Sequence, residues 1–390
     1  MKTLLAVELA LQAAAPHKLL DTVRVLLADH CGADSADLLL ADYGMTVLQP
    51  VTIPPYTGEP ISAFSGVAGR VFGSQEAIIR EGATGRVEAL VPVTVRGDRL
   101  GVLCVALPAG ACDLEELELI AGILGRELVV SERDTDLYLQ ARRTRRLTLA
   151  AELQWQLLPA RSCSRPEYAL GAQLEPAYAI HGDNFDWCAE ADYLTLTVTN
   201  GMGEGIDAAL LANLAVNALR NARRGGTALA GQASLADQAL YAHYQGRMHV
   251  STLLLRFEIS TGRVEVVDAG SPQTWLLRDG EVSLVPFDAQ LPLGMVEETP
   301  YAVQHMDVVR GDRLLFVSDG IYDAASPAGE KYGERALARA LADTRLLPAA
   351  LVPAAVLRAL TEWRGTPTPS DDAMVVCLDW QGAATEPFPS

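Results

Sequence analysis

The chain has 390 residues, 31 of them basic and 49 acidic, for a formal net charge of −18. With 49% hydrophobic and 21% charged residues it has a globular composition, and its length fits two or three domains. The acidic balance excludes nonspecific nucleic-acid binding and docking on anionic lipid, because both need a basic footprint.

The first residues, MKTLLAVELALQAAAPHK, have the outline of a signal peptide, but Glu8 and Gln12 interrupt the apolar run and fit an amphipathic helix better. No apolar run reaches the length of a membrane span, so the sequence predicts a soluble, cytoplasmic protein with no membrane partner. Residues 16–31 are predicted helical and Ala36–Ala41 a strand, with a Pro- and Gly-containing loop from Pro50 to Pro60. A short helix is predicted at Ser65–Phe72. Leu90–Val95 and Leu100–Leu107 alternate around Arg96-Gly-Asp-Arg99 as a hairpin.

Asp113 precedes a helix beginning LEELELIAGIL, with acids in its first turn as the helix dipole favours. No proline occurs from Asp113 to Leu158, so one helix could run through, roughly 70 Å long at 1.5 Å per residue. Positions 130, 137, 144, 151 and 158 with 134, 141, 148 and 155 form a weak heptad seam, since Asp134, Thr144 and Thr148 are polar. Arg142, Arg143, Arg145 and Arg146 read as a solvated helix face.

After Pro159 the pattern changes. Leu194–Thr199 is a predicted strand, followed by Asn200-Gly-Met-Gly-Glu-Gly205 and a helix from Ile206 to Arg224. Strand–turn–strand units follow at Val250–Asp268 and Thr274–Val285. A strand at Arg313–Ser318 then runs into Asp319-Gly320, and a final strand, Ala373–Trp380, starts after Asp371-Asp372. Hairpin-rich strands with outer helices predict a layered α+β sandwich of antiparallel sheets. The six cysteines show neither CxxC spacing nor the C-x5-R pattern of thiol phosphatases, and are read as free thiols.

The chemistry-bearing pattern is a set of acids at strand ends: Asp183 and Asp186 in His181-Gly-Asp-Asn-Phe-Asp, Asp319, Asp371 and Asp372. Any one Asp beside Gly is ordinary turn chemistry. An ordered set can converge at one end of a sheet and hold hard cations such as Mg²⁺ or Mn²⁺ through oxygen. Two such ions about 3.5–4 Å apart can acidify a water and clamp a phosphoryl group. A dinucleotide fingerprint is the competing reading of Gly201-x-Gly-x-Gly205. The spacing is wrong, however, and no acid lies between 208 and 236 to take a ribose.

Residues 150–380 resemble the PPM metal-dependent Ser/Thr phosphatases, in the branch of stage II sporulation protein E. The blocks are Ala151-Glu-Leu-Gln-Trp-Gln-Leu-Leu-Pro159, Gly182-Asp-Asn-Phe-Asp186, Gly201-Met-Gly-Glu-Gly205, Asp268-Ala-Gly-Ser-Pro272, Leu315-Phe-Val-Ser-Asp-Gly320 and Asp371-Asp-Ala-Met-Val-Val376. The resemblance implies an α-β-β-α sandwich over 159–381, two Mn²⁺ or Mg²⁺ ions, and hydrolysis of phosphoserine or phosphothreonine by metal-activated water. Asp183, Asp319 and Asp371 match catalytic metal ligands, and Gly201 a backbone-carbonyl ligand; Asp186 and Asp372 are flanking acids.

Residues 15–126 resemble a GAF domain, an antiparallel sheet with helices, through Ser65-Gly-Val-Ala-Gly69, Leu90-Val-Pro-Val93 and Gly101-Val-Leu. That implies a small-molecule sensor at 1–126 with an unspecified ligand, a linker helix at 127–158 supporting a homodimer, and a flexible tail at 382–390. The implied partner is a phosphorylated regulatory protein of the anti-sigma-factor-antagonist type.

The chain departs from the family pattern at three positions. Asn200 stands where the family has the Asp that bridges the two ions, His181 replaces a usual Gly, and Ser271 a usual His. An amide oxygen bridges poorly, and one lost charge contact near 4 Å at an effective dielectric near 20 is worth about 4 kcal/mol. Three readings of Asn200 stand: an active enzyme that tolerates it, a pseudophosphatase that binds without turnover, or an engineered substitution.

Overall fold

The computed structural model describes residues 2–52, 58–82, 85–143, 147–176, 180–270, 272–365 and 371–383. Thr144, Arg145, Arg146, Ser271 and most of the tail lie outside the described residues. The chain divides into two compact units, Met1–Arg146 and Leu147–Ser390.

The first unit runs α1 (Lys2–Ala13), α2 (Leu19–Cys31), β1 (Ser35–Ala41), β2 (Val47–Pro50), β3 (Ile61–Ser62), α3 (Gly66–Ser74), β4 (Ile78–Glu81), β5 (Arg86–Val95), β6 (Asp98–Pro108), α4 (Leu114–Ser131) and α5 (Leu137–Ala141). Its strands form one antiparallel sheet in the order β3-β2-β1-β6-β5-β4. Alternation along β1 splits the core. Leu38 and Leu40 pack with α1, α2 and α4, while Leu39 and Ala41 pack with α3. The predicted hairpin is present, and Arg96 and Gly97 carry φ of 51° and 92°, as a two-residue primed turn requires.

The continuous helix over 127–158 is not formed. The helix stops at Ser131, whose hydroxyl donates to the Leu128 carbonyl at 2.8 Å. The backbone then turns, with Asp134 and Thr135 N–H both donating to Ser131 O. A separate α5 is pinned into the first unit by Tyr138, whose hydroxyl donates to Pro16 O at 3.0 Å. The next helix begins afresh, capped by Thr148, whose hydroxyl accepts from Ala151 N. Two of the polar residues that weakened the heptad seam, Asp134 and Thr148, therefore sit at helix interruptions, and the helical seam that argued for a dimer is gone.

The second unit runs α6 (Leu149–Leu157), β7 (Ser162–Arg165), β8 (Tyr168–Glu175), β9 (Asn184–Ala189), β10 (Tyr193–Asn200), α7 (Gly205–Arg224), α8 (Leu229–Tyr244), β11 (Ser251–Glu258), β12 (Arg263–Ala269), β13 (Gln273–Arg278), β14 (Glu281–Val285), β15 (Gln304–Asp307), β16 (Arg313–Val317), α9 (Asp319–Tyr322), α10 (Gly333–Asp343), α11 (Val352–Arg364) and β17 (Ala373–Trp380). Two antiparallel sheets, β15-β12-β11-β10-β9 and β14-β13-β16-β17-β8-β7, meet face to face. Leu196, Val198, Leu253, Leu255, Phe316 and Val376 are among the side chains that fill the space between them. The outer face of the first sheet packs on α7 and α8, that of the second on α10 and α11. This is a helix–sheet–sheet–helix sandwich. It explains why Leu253-Leu254-Leu255 and Leu314-Leu315-Phe316-Val317 are apolar without alternation: both faces of these strands are covered. No helix among the described residues is long and apolar enough to cross a membrane.

The layers approach closely at Gly171 in β8, where a Cβ would lie 2.3 Å from the Ala349 carbonyl oxygen. Gly171→Ala is expected to lower the stability of the second unit by about 1–3 kcal/mol, the usual cost of overpacking, as read by urea unfolding.

Candidate metal centre

Four chain segments meet at one end of the sandwich: the 181–183 loop before β9, the end of β10, the β16–α9 junction, and the start of β17. Two glycines permit the meeting. A Cβ on Gly201 would lie 2.5 Å from His181 O, and one on Gly320 2.0 Å from Asp372 O. Any side chain there would push apart the backbones that carry the acids.

Asp372 ties these segments together. It is fully buried, and its Oδ2 accepts from Gln154 Nε2 at 2.8 Å, His181 N at 3.0 Å and Gly182 N at 3.1 Å. Gln154, from α6, also donates to Asp183 O at 3.0 Å. The flanking acid of the Asp371-Asp372 pair is thus an anchor whose charge is spent on backbone and amide donors. The other flanking acid, Asp186, is a structural ion pair. Arg220 and Arg223 donate to its two oxygens at 2.8 and 3.1 Å, and Arg220 also reaches Leu157 O at the end of α6.

The three predicted carboxylate ligands are neighbours. Asp183 is 2% exposed, and its Oδ2 makes no hydrogen bond. Burial pushes its carboxyl well above the usual range, and the charges of Asp372, Asp319 and Asp371 push the same way, against a lowering hydrogen bond from Ser318. Asp319 is raised first by burial and then by Asp371. Asp371 is the more open of the set; its Oδ1 accepts from Asp372 N at 2.8 Å and lies 3.6 Å from His181 Nδ1. Asn200 is 4% exposed at the end of β10, and Gly201 follows it against the 181–182 backbone.

Among the described residues, no group of three His, Cys, Asp or Glu side chains is spaced to hold a metal ion as it stands. The donor chemistry does fit a hard divalent cation. Crowded, desolvated carboxylates with an orphaned buried oxygen gain most from a positive charge among them. The close approaches at Gly201 and Gly320 bring the backbones that carry these acids together. Sequence reasoning placed Asp183, Asn200, Gly201, Asp319 and Asp371 at one site, and the fold brings all five to one end. It missed Gln154 and left Asp372 without a role. The only signal for Gln154 was its place inside a block shared with the resembled family.

Residues 190–381 match the family model of stage II sporulation protein E (SpoIIE). The match includes Asn200, Gly201, Asp319 and Asp371; Asp183 precedes it. A curated relative, Protein IcfG of a Synechocystis strain, is 22% identical over 218 residues, 49% of this chain. The chain covers 34% of that protein, about a third of its length. The crystal structure of the RsbU and RsbW domains of a Mycobacterium tuberculosis protein aligns with a TM-score of 0.49 at 22% identity, over 56% of this chain and 63% of that one. The SiaA-PP2C domain of Pseudomonas aeruginosa aligns at 0.48 and 21%, over 54% and 84%. The PP2C phosphatase domain of Bacillus subtilis SpoIIE, with a fragment of its regulatory domain, aligns at 0.49 and 14%, over 78% and 82%.

The raised carboxyl of Asp183 has a testable cost. Its folded pKa lies above the ordinary 3.8, so the native state holds a proton that the unfolded chain has lost. Metal-free stability therefore falls as pH rises from that value through the folded pKa. Asp183→Asn removes the penalty. Without divalent cations at pH 7.5 the variant is expected to melt about 2–4 °C above the parent for each 1 kcal/mol relieved, with the gap closing toward pH 4. Differential scanning calorimetry across that range checks it.

Proposed function

We propose that the second unit is a metal-dependent protein phosphatase acting on phosphoserine or phosphothreonine. The observation that carries the reading is the convergence of Asp183, Asp319 and Asp371 with Gly201 at one end of a two-sheet sandwich, locked by the buried Asp372. The SpoIIE match over 190–381 supports it. A divalent cation held by these carboxylates and the Gly201 carbonyl would supply charge neutralisation and an acidified water for in-line attack on phosphorus. The chain's own contribution is positional. Asp372 and Gln154 fix the 181–183 loop, Gly320 sets Asp319 beside Asp371, and burial around Asp183 keeps bulk water from screening the phosphoryl charge. No cysteine carries a phosphoenzyme in this scheme. The natural substrate in this reading is a phosphorylated regulatory protein of the anti-sigma-factor-antagonist type, and the first unit is a GAF-like sensor of a small molecule.

Asn200 favours a second reading. With an amide in place of the bridging carboxylate, the site is suited to one cation rather than two, and the chain would bind a phosphoprotein without turning it over.

Hydrolysis of an aryl phosphate and of a phosphoserine peptide with Mn²⁺ separates the two. In the enzyme reading the parent chain is active and Asp319→Ala abolishes turnover. Asn200→Asp is expected to raise activity about tenfold or more, well inside the charge contact it restores. Activity in Asn200→Asp alone overturns the enzyme reading of the parent chain and supports the binding reading, and activity in none of the three counts against the metal-centre reading.

A further inference from the structure

Two departures from the resembled pattern lie against each other in space. Asn200 removes a negative charge at the end of β10, and His181 adds an imidazole on the neighbouring loop, whose carbonyl abuts Gly201. The ring does not turn away to solvent. Its Nδ1 lies 3.6 Å from Asp371 Oδ1, and the side chain is only 27% exposed. Its backbone is held in place, since the amides of His181 and Gly182 both donate to Asp372. Among the described residues neither ring nitrogen makes a hydrogen bond. Two ligands of one octahedral ion, each at about 2.1 Å, sit about 3 Å apart. The His181–Asp371 pair is therefore within a small rotation of sharing a cation.

We propose that His181 is a nitrogen ligand at this centre, completing with Asp371 a cation site that takes Mn²⁺ in preference to Mg²⁺. The inference rests on the reading of Asp183, Asp319 and Asp371 as cation ligands. Its physical basis is ligand type. Mg²⁺ is held by charge and oxygen, so the change from carboxylate to amide at position 200 weakens it most. Mn²⁺, though the weakest binder of the first-row series, accepts an imidazole nitrogen beside oxygen ligands more readily than Mg²⁺, which keeps to oxygen and water.

The test uses the full chain with Mn²⁺ and Mg²⁺ as probes. Calorimetry measures affinity for each ion, and pulsed EPR of bound Mn²⁺ detects directly bonded nitrogen, with ¹⁵N-histidine labelling to assign it. The comparison variant is His181→Gly, which installs the smaller residue usual in the resembled pattern. The parent is expected to show a histidine nitrogen coupling that vanishes in His181→Gly. Mn²⁺ affinity is expected to fall by about 10–100-fold, at least what loss of an outer partner of a ligand costs, and Mg²⁺ affinity to change far less. Mn²⁺ bound without nitrogen coupling, a coupling that survives His181→Gly, or an unchanged Mn²⁺-to-Mg²⁺ ratio overturns the proposal and leaves the carboxylate centre standing. Absence of Mn²⁺ binding in the parent overturns both.

Discussion

The buried carboxylate of Asp372 is the interaction on which the candidate centre depends. It gathers an amide from α6 and three backbone N–H groups from the loop before β9, and it stands at the start of β17. Hydrogen bonds to a charged acceptor are worth about 1.5–3 kcal/mol each, and leaving any partner unpaired in this interior costs a comparable amount. Elements distant in sequence are held in register by one side chain. The exposed-side acid, Asp371, is thereby freed to face the centre.

That division of labour between adjacent acids explains the electrostatics. Asp372 and Asp186 are satisfied by donors from the protein, Asp186 by two arginines. Asp183 is not, and burial with its neighbours' charges raises its carboxyl. Partner supply thus separates the carboxylates that hold the frame from the one left without a full set of donors, though all are Asp in the sequence.

In the second unit β10–β14, β16 and β17 were legible, because hairpin turns such as Ser260-Thr-Gly262 and Arg278-Asp-Gly280 carry strong local signals and apolar runs mark strands covered on both faces, whereas β7, β8, β9, β15 and the helix α8 were not anticipated. The acids of the centre were legible as an ordered set. The roles of Gln154 and Asp372 were not, since they are fixed by pairing across the fold rather than by local pattern. The 127–158 helix misled for the opposite reason. Helix propensity and absence of proline favour continuity, but Ser131 and Thr148 offer competing side-chain hydrogen bonds, and Tyr138 gains more by burying in the first unit. In that unit the alternation of β5 and β6 and the Arg96-Gly97 turn were readable, whereas the short β3 and β4 carry too few residues to show a period.

The bond from Gln154 to Asp372 joins residues 218 apart in the chain. A contact of that separation closes a long loop, and the entropy it costs is met by the packing of the elements in between. The 181–183 loop lies early in the second unit and β17 late, so the acids stand together only where β17 is paired between β16 and β8. The centre is therefore a property of the completed second sheet and not of any one segment of chain.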